Sequence, residues 1–254
     1  VSVSHGGAPV DAPALVIESV SKRYGAVVGL ADVALSVPGG HCLALVGESG
    51  AGKSTLLRCI NRLEEPDAGR ILVGGINVRS REPVSLRREI GYVPQEDGLL
   101  PHWRVKRNAA LVPVLRGFAD AELRADEALT LVGLDPVGMG GRWPYELSGG
   151  QRQRVAVARA LAGGQSLLLL DEPFGALDAI TRFDLQQMLI AIRAARPLTV
   201  VLVTHDLREA FRLSDIVAVL RNGRVEQAAA PADLARAPAT AYVAELLSRS
   251  GFGR

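Results

Sequence analysis

Residues 47–55 read Gly47-Glu48-Ser49-Gly50-Ala51-Gly52-Lys53-Ser54-Thr55, and this stretch constrains the chain more than any other. It fills the pattern Gly-x4-Gly-Lys-Ser/Thr. An apolar run at 42–46 precedes it, and a helix is expected over 54–62. In that setting glycines permit backbone conformations that turn successive N–H groups inward, and the helix N-terminus adds partial positive charge. The expected occupant is a chain of phosphates. Lys53 would reach the β- and γ-phosphates, the Ser54 hydroxyl would ligate Mg²⁺, and Thr55 would lie near the inner phosphates. The plain alternative is a glycine turn capping a helix. Composition speaks against it, because only three of the 29 basic residues are lysines (Lys22, Lys53, Lys106). One of them stands where a compact ammonium is wanted.

Two further runs, 167–170 and 199–203, are uniformly apolar and strand-sized, with a helical pattern at 181–196 between them. Strand, helix, strand with both faces buried implies parallel strands in an α/β sheet. Ligands of such sheets bind at the carboxyl ends of the strands. The first run leads into Asp171-Glu172-Pro173, where Pro173 ends the strand. Adjacent residues leaving a strand point apart, so the two acids are expected to differ in job. Asp171 would hold Mg²⁺ through water, and Glu172 would polarise the water that attacks the γ-phosphate. The alternative is an acidic pair solvated at a strand end. The second run leads into Val203-Thr204-His205-Asp206. This aims the His205 imidazole at the same crevice to contact the γ-phosphate; a lone histidine is otherwise usually structural or on the surface.

The rest of the chain supplies context. With 48% hydrophobic and 22% charged residues it is expected to form a globular domain with a sizeable core. No apolar run approaches the ~18 residues that cross a bilayer. Residues 1–14 read as a flexible lead rather than a secretory signal. Cys42 and Cys59 alone cannot form a disulfide framework and suit a reducing compartment. A net charge of +2 gives no electrostatic case for nucleic acid. Short strands are expected at 15–20 and 33–37, hairpins at 69–77 and 216–227, and helices within 99–161, notably 120–131 and 151–161.

Leu147-Ser148-Gly149-Gly150-Gln151 is a polar, glycine-rich turn opening a helix, a second anion-binding surface. With Arg152-Gln153-Arg154 and the following alanine-rich helix, it resembles the signature motif of ATP-binding cassette (ABC) ATPases. The resemblance spans about 15–247. Its parts occur in the family's order: the phosphate loop, Gln95 in Tyr92-Val93-Pro94-Gln95, the signature, Asp171-Glu172, Ala176-Leu177-Asp178, and His205.

The resemblance implies an α/β P-loop NTPase core of the ABC ATPase type, with an antiparallel β-subdomain and a helical subdomain at about 97–162. One ABC ATPase domain would occupy 15–247, with a tail at 248–254. ATP and Mg²⁺ are the implied cofactors. The signature of one subunit would close over ATP on the phosphate loop of another, making a head-to-tail dimer of ATPase subunits. Ser148 and Gly150 would then contact the γ-phosphate in trans, with Gly149 and Gln151 beside them and Asp178 at the interface. Gln95 would sense Mg²⁺ and the attacking water. Tyr24 matches the position whose ring stacks on adenine, the alternative being ordinary strand packing.

More narrowly, 98–105, 108–113, 174–182 and 238–243 resemble the ATPases of osmoprotectant importers, the glycine betaine, choline and proline betaine group. That implies transmembrane permease subunits, an extracytoplasmic solute-binding protein, and a place on the cytoplasmic face of the membrane. Trp103 and Arg104 would lie where such ATPases receive the permease. The rival classes are ABC ATPases for other solutes or for export, and non-transport members acting on ribosomes or DNA. Arg87-Arg88 and 104–107 read as solvated helix faces rather than a nucleic-acid patch. Glu96-Asp97 has no account at this level.

Overall fold

The computed structural model describes residues 13–252. In chain order its elements begin with β1 (Pro13–Tyr24), β2 (Val27–Pro38), β3 (Cys42–Val46), α1 (Lys53–Ile60), β4 (Ala68–Val73), β5 (Ile76–Asn77), α2 (Pro83–Glu89) and β6 (Ile90–Val93). Five helices follow: α3 (Val105–Ala109), α4 (Leu111–Leu115), α5 (Ala121–Leu131), α6 (Pro136–Met139) and α7 (Gly149–Leu161). The chain then alternates through β7 (Leu167–Asp171), α8 (Ala179–Ala195), β8 (Thr199–Val203), α9 (Leu207–Leu213), β9 (Ile216–Arg221) and β10 (Arg224–Ala229), and closes with α10 (Pro231–Arg236) and α11 (Ala241–Arg249).

The apolar runs form the centre of a six-stranded sheet ordered β10-β9-β3-β8-β7-β6. Every residue of β3, β7 and β8 is buried. Successive side chains go to opposite faces, as strand geometry requires. Leu168, Leu170, Val200 and Leu202 enter a cluster with α3, α5, α7 and α8, while Leu167, Leu169, Val201 and Val203 enter one with α1, β1 and β2. A smaller cluster seats α9, α10 and α11 against β3 and β9 through Val46, Val219, Leu234, Tyr242 and Leu247. The strands β6, β7, β8, β3 and β9 pair in parallel. Their carboxyl ends therefore share one edge, which positions the site.

The second sheet, β2-β1-β4-β5, is antiparallel. Its first two strands are twelve residues each, where two short, separate strands were expected. Bulges explain the difference: the β1–β2 register shifts between Ile17 and Val20, and Ser19 and Asp32 take φ of 50° and 57°. A bulge absorbs a residue and breaks the alternation by which a strand is recognised. The expected helices at 54–62, 120–131, 151–161 and 181–196 appear as α1, α5, α7 and α8, the last starting two residues earlier under an Asp178 cap. Three elements were not anticipated: α2, β6 and α9. β1 begins inside the expected lead and α11 runs into the expected tail; 1–12 and 253–254 lie outside the described residues.

Cys42 and Cys59 are buried and unpaired, and burial pushes both thiols up to about 12. The central strands carry the stability. Leu169→Ala, at a fully buried position, is expected to cost about 2–5 kcal/mol. Leu123→Ala, on the exposed face of α5, is expected to stay within ~0.5 kcal/mol. Denaturant titration checks both, and equal midpoints would overturn the layered core described above.

Candidate active site

The loop between β3 and α1 folds over its own lysine. Gly47 and Gly52 take φ of 146° and 101°, which L side chains rarely adopt. A Cβ on Gly52 would also stand 2.4 Å from the Gly29 carbonyl oxygen. Gly52 caps α1, so the first free N–H groups of that helix open onto the loop. Lys53, 6% exposed, donates from Nζ to the carbonyls of Gly47 at 2.8 Å and Glu48 at 2.9 Å. Burial lowers its pKa, while the charges of Glu172 and Asp171 act to raise it again. Glu48, Ser49 and Gly50 are exposed at the rim, Ala51 is buried, and Ser54 and Thr55 are half-buried on the first helical turn.

The end of β7 meets this loop. Ser54 Oγ donates to Asp171 Oδ1 at 2.8 Å. Asp171 is buried, and burial raises its carboxyl pKa despite the Ser54 hydrogen bond. A hydroxyl beside a single buried carboxylate is a hard-oxygen pair suited to Mg²⁺, which takes one or two protein ligands and completes its shell with phosphate and water. The donor set therefore fits that ion.

Glu172 follows at φ 48°, a strained value for a non-glycine residue. Its N–H donates to the Val203 carbonyl at 3.0 Å, which ties the ends of β7 and β8 together. Its Oε2 lies 3.2 Å from His205 Nδ1. Glu172 and His205, 33 residues apart in sequence, thus meet as a pair at the strand ends. Gln95 stands just past β6, exposed at the same edge.

Tyr24 ends β1 with 43% of its surface exposed. Its ring covers Gly29, the residue that abuts Gly52, and Lys22 Nζ sits 5.4 Å from the ring centroid. Its ring thus packs on Gly29 and under Lys22 while staying partly exposed beside the 47–55 loop.

Ser148 to Gln151 form a capping box at the start of α7. Gln151 N–H donates to Ser148 Oγ at 3.2 Å, and Ser148 N–H donates to Gln151 Oε1 at 2.9 Å. Gly149 faces Leu177, and Gly150 packs against Thr181 of α8. Asp178 caps α8, accepting from the N–H groups of Ile180 and Thr181 at 3.0 Å. The hydrogen bonds from Thr181 hold its carboxyl below the usual range. Among the described residues no hydrogen bond joins 148–151 to 47–55, so one chain brings together Lys53, Ser54, Asp171, Glu172 and His205 but not the signature.

Sequence reasoning left some residues without a role. Asp97 pairs with Arg152 of α7 at 3.0 Å, and Arg159, also on α7, donates to the carbonyls of Asp97 and Gly98 at 3.0 and 2.6 Å. The segment after Gln95 is thereby tied to the signature helix. Glu209, an acid one helical turn beyond His205, is buried; nothing in its local pattern marked it. Three arginines of the 87–88 and 104–107 stretches are engaged within the chain. Arg87 donates to the Arg62 carbonyl, Arg104 lies over Trp143, and Arg107 lies over Trp103.

Comparison with known proteins turns on this set. The family model described as "ABC transporter" matches residues 30–175, from within β2 to just past Glu172. The chain belongs to the ABC transporter family. This cassette is 43% identical over 238 residues to the choline transport ATP-binding protein OpuBA of Bacillus subtilis (strain 168), covering 92% of this chain and 62% of that one. It is 44% identical over 236 residues to the glycine betaine uptake system ATP-binding protein YehX of Escherichia coli (strain K12), covering 92% and 76%. It is 46% identical over 235 residues to the sulfate/thiosulfate import ATP-binding protein CysA of Caulobacter vibrioides (strain ATCC 19089 / CIP 103742 / CB 15), covering 90% and 68%. The cassette thus spans about three fifths of the length of its choline-transport relative. The fold is that of a solved dimeric post-hydrolysis state of the ATP-binding cassette MJ0796 bound to ADP and Pi: TM-score 0.76, 30% identity, 85% of this chain and 98% of that one. No described helix of this cassette is long and apolar enough to cross a membrane.

The buried carboxylate predicts a pH-dependent stability. Asp171 holds its proton more tightly folded than unfolded, so stability falls as pH rises from the unfolded pKa through the higher folded one. Asn cannot ionise and escapes that loss. Without nucleotide or Mg²⁺, Asp171→Asn is expected to melt above wild type at about pH 7.5, with the difference nearly closed by about pH 3, where the aspartate is mostly protonated in both states. Thermal unfolding across that range checks this, and a variant that melts lower at neutral pH would contradict it.

Proposed function

We propose that this chain is the ATP-binding and ATP-hydrolysing subunit of an importer, placed peripherally on the cytoplasmic face of the membrane. Two copies would act head-to-tail beneath transmembrane permease subunits fed by an extracytoplasmic solute-binding protein. The observation that carries the reading is the meeting of Lys53, the Ser54–Asp171 pair and the Glu172–His205 pair at one sheet edge.

The roles follow from chemistry. Backbone N–H groups of 47–53 and the Lys53 ammonium hold the phosphates, and Tyr24 offers its face to the adenine. Ser54 and Asp171, with Gln95 across the edge, would hold Mg²⁺, whose chemistry is to neutralise charge on the β- and γ-oxygens. Glu172 accepts a hydrogen bond from the attacking water. As the water oxygen bonds to the γ-phosphorus it gives a proton to Glu172, the bond to the β–γ bridging oxygen breaks, and ADP and phosphate result. His205, oriented by Glu172, contacts the γ-phosphate. Ser148 and Gly150 of the second copy, with Gly149 and Gln151 shaping the turn, close the site from the far side, and Asp178 lies at the seam. The exposure of Ser148 and Asp178 supports a second copy as the missing wall. Residues 97–162 serve as the helical subdomain that meets the permease.

The solute read best is an osmoprotectant or other quaternary amine such as glycine betaine or choline, supported by the choline and glycine betaine relatives. Sulfate or thiosulfate is the second reading, favoured by the 46% identity to the relative named for their import.

A positioned base contributes roughly 10²–10⁴ in rate. Glu172→Gln is therefore expected to bind ATP with near wild-type affinity while losing at least ~99% of turnover; wild-type turnover in that variant would remove the role. Uptake of labelled glycine betaine or choline is expected to vanish in cells lacking the chain. Loss of sulfate uptake with quaternary-amine uptake intact would move the reading to its alternative.

A further inference from the structure

Behind the Glu172–His205 pair runs a buried polar chain that none of the family motifs accounts for. Glu209 on α9 is 7% exposed. Its Oε2 accepts from Thr204 Oγ1 at 2.6 Å, and that hydroxyl accepts the Asp206 N–H at 3.0 Å. Both neighbours of His205 are thus fixed from behind by one carboxylate. The other oxygen, Oε1, faces α8, with Gln186 Nε2 at 3.4 Å and Arg182 Nε at 3.7 Å. Arg212 Nη1 steadies the Gln186 amide at 3.3 Å. Arg182 reaches forward as well, donating from Nη2 to the carbonyl of Leu177, next to Asp178, at 3.0 Å.

The chain of contacts therefore runs from the Leu177 carbonyl through Arg182, Glu209 and Thr204 to the backbone on either side of His205. One link is open. Arg182 Nε is buried and makes no hydrogen bond, and its distance to the carboxylate lies beyond hydrogen-bond range. The two groups form a loose ion pair at 3.7 Å with the Arg182 side chain 36% exposed, and a movement of roughly 0.8 Å would tighten it into a hydrogen bond. Burial pushes the Glu209 carboxyl pKa up, with the Thr204 hydrogen bond pulling it back.

We infer that Arg182 and Glu209 are positioning residues which couple the loop at Leu177–Asp178 to His205. A second copy seated against Asp178 shifts the Leu177 carbonyl, Arg182 closes on Glu209, and the backbone at 204–206 sets the imidazole on the γ-phosphate. This rests on the ATPase reading above, and it adds the means by which assembly of two copies switches on chemistry.

The test is a double-mutant cycle on the full chain, reading kcat, KM, the equilibrium Kd for ATP and the melting temperature. Glu209→Gln is expected to lower kcat tenfold or more while KM and Kd stay within twofold. Adding His205→Ala to Glu209→Gln is expected to cost far less than the same change costs wild type, because both disable one step. Arg182→Gln, at a partly exposed side chain, is expected to repeat this pattern and serves where Glu209→Gln does not fold. Arg182→Lys is expected to recover part of the rate. Unchanged kcat in a folded Glu209→Gln or Arg182→Gln, or losses that simply multiply with His205→Ala, would overturn the coupling. Glu172→Gln run alongside separates the two readings. If it matches wild type, the ATPase assignment falls and the coupling with it; if it is slow while Glu209→Gln and Arg182→Gln are fast, only the coupling falls.

Discussion

A buried ammonium is the constraint around which the rest of this molecule is arranged. Lys53 has left water, and among the described residues no carboxylate lies within ion-pair distance of it; two loop carbonyls hold it instead. Carbonyls turned toward the lysine leave the opposite ends of those peptides turned away from it, toward an incoming anion. Such a loop needs left-handed backbone at Gly52, and with no Cβ there the β2 backbone can approach as far as Gly29. The Ala31 N–H then donates to the Gly223 carbonyl at 2.8 Å, while the Gly223 N–H donates to the Ala51 carbonyl at 3.1 Å. One bent loop thereby fastens the antiparallel sheet and the β9–β10 turn to the parallel core, and brings Tyr24 beside that loop.

The same burial creates opposing tensions. Lys53 would shed its proton more readily here than in water, and Asp171 would hold its proton more tightly. Each is disfavoured in the charged form that phosphate and a divalent cation require. A polyanion beside Lys53 and a cation beside Asp171 relieve both at once, so the binding free energy includes the removal of strain already present in the fold. Stability is surrendered in the resting site where ligand binding can recover it, and the strained φ of Glu172 belongs to the same pattern.

What could be read from sequence follows from how local the physics is. The phosphate loop was legible because nine contiguous residues carry its conformation, its charge and its helix cap. β7 and β8 were legible because strands buried on both faces show as unbroken apolar runs, and the acids and histidine at their ends inherited that clarity. β6 was not. It has only four residues, one of them Gly91, where a Cβ would stand 2.6 Å from the Ala160 carbonyl oxygen; the glycine admits α7 and blurs the strand signal. β1 and β2 were seen in pieces because bulges interrupt their alternation. Asp97 and Glu209 were opaque for a different reason. Their partners, Arg152 and Arg182, lie on other helices, and no local pattern predicts a pairing that only the packed layers create.

The two helix N-termini that face away from the phosphate loop differ from it in one respect. The Gln151 N–H of α7 is satisfied by Ser148, and the Ile180 and Thr181 N–H groups of α8 by Asp178, from within their own turns. These turns are preformed, with Ser148 and Asp178 exposed, so a second copy docking there as proposed would have little ordering entropy to overcome. The Arg182–Glu209 contact is the opposite case, a loose ion pair at 3.7 Å whose buried Nε makes no hydrogen bond. Under the coupling proposed above, docking against the preformed turns would be taken up at this one loose internal joint. The joint leads to His205, so the slack sits where closing it changes the chemistry.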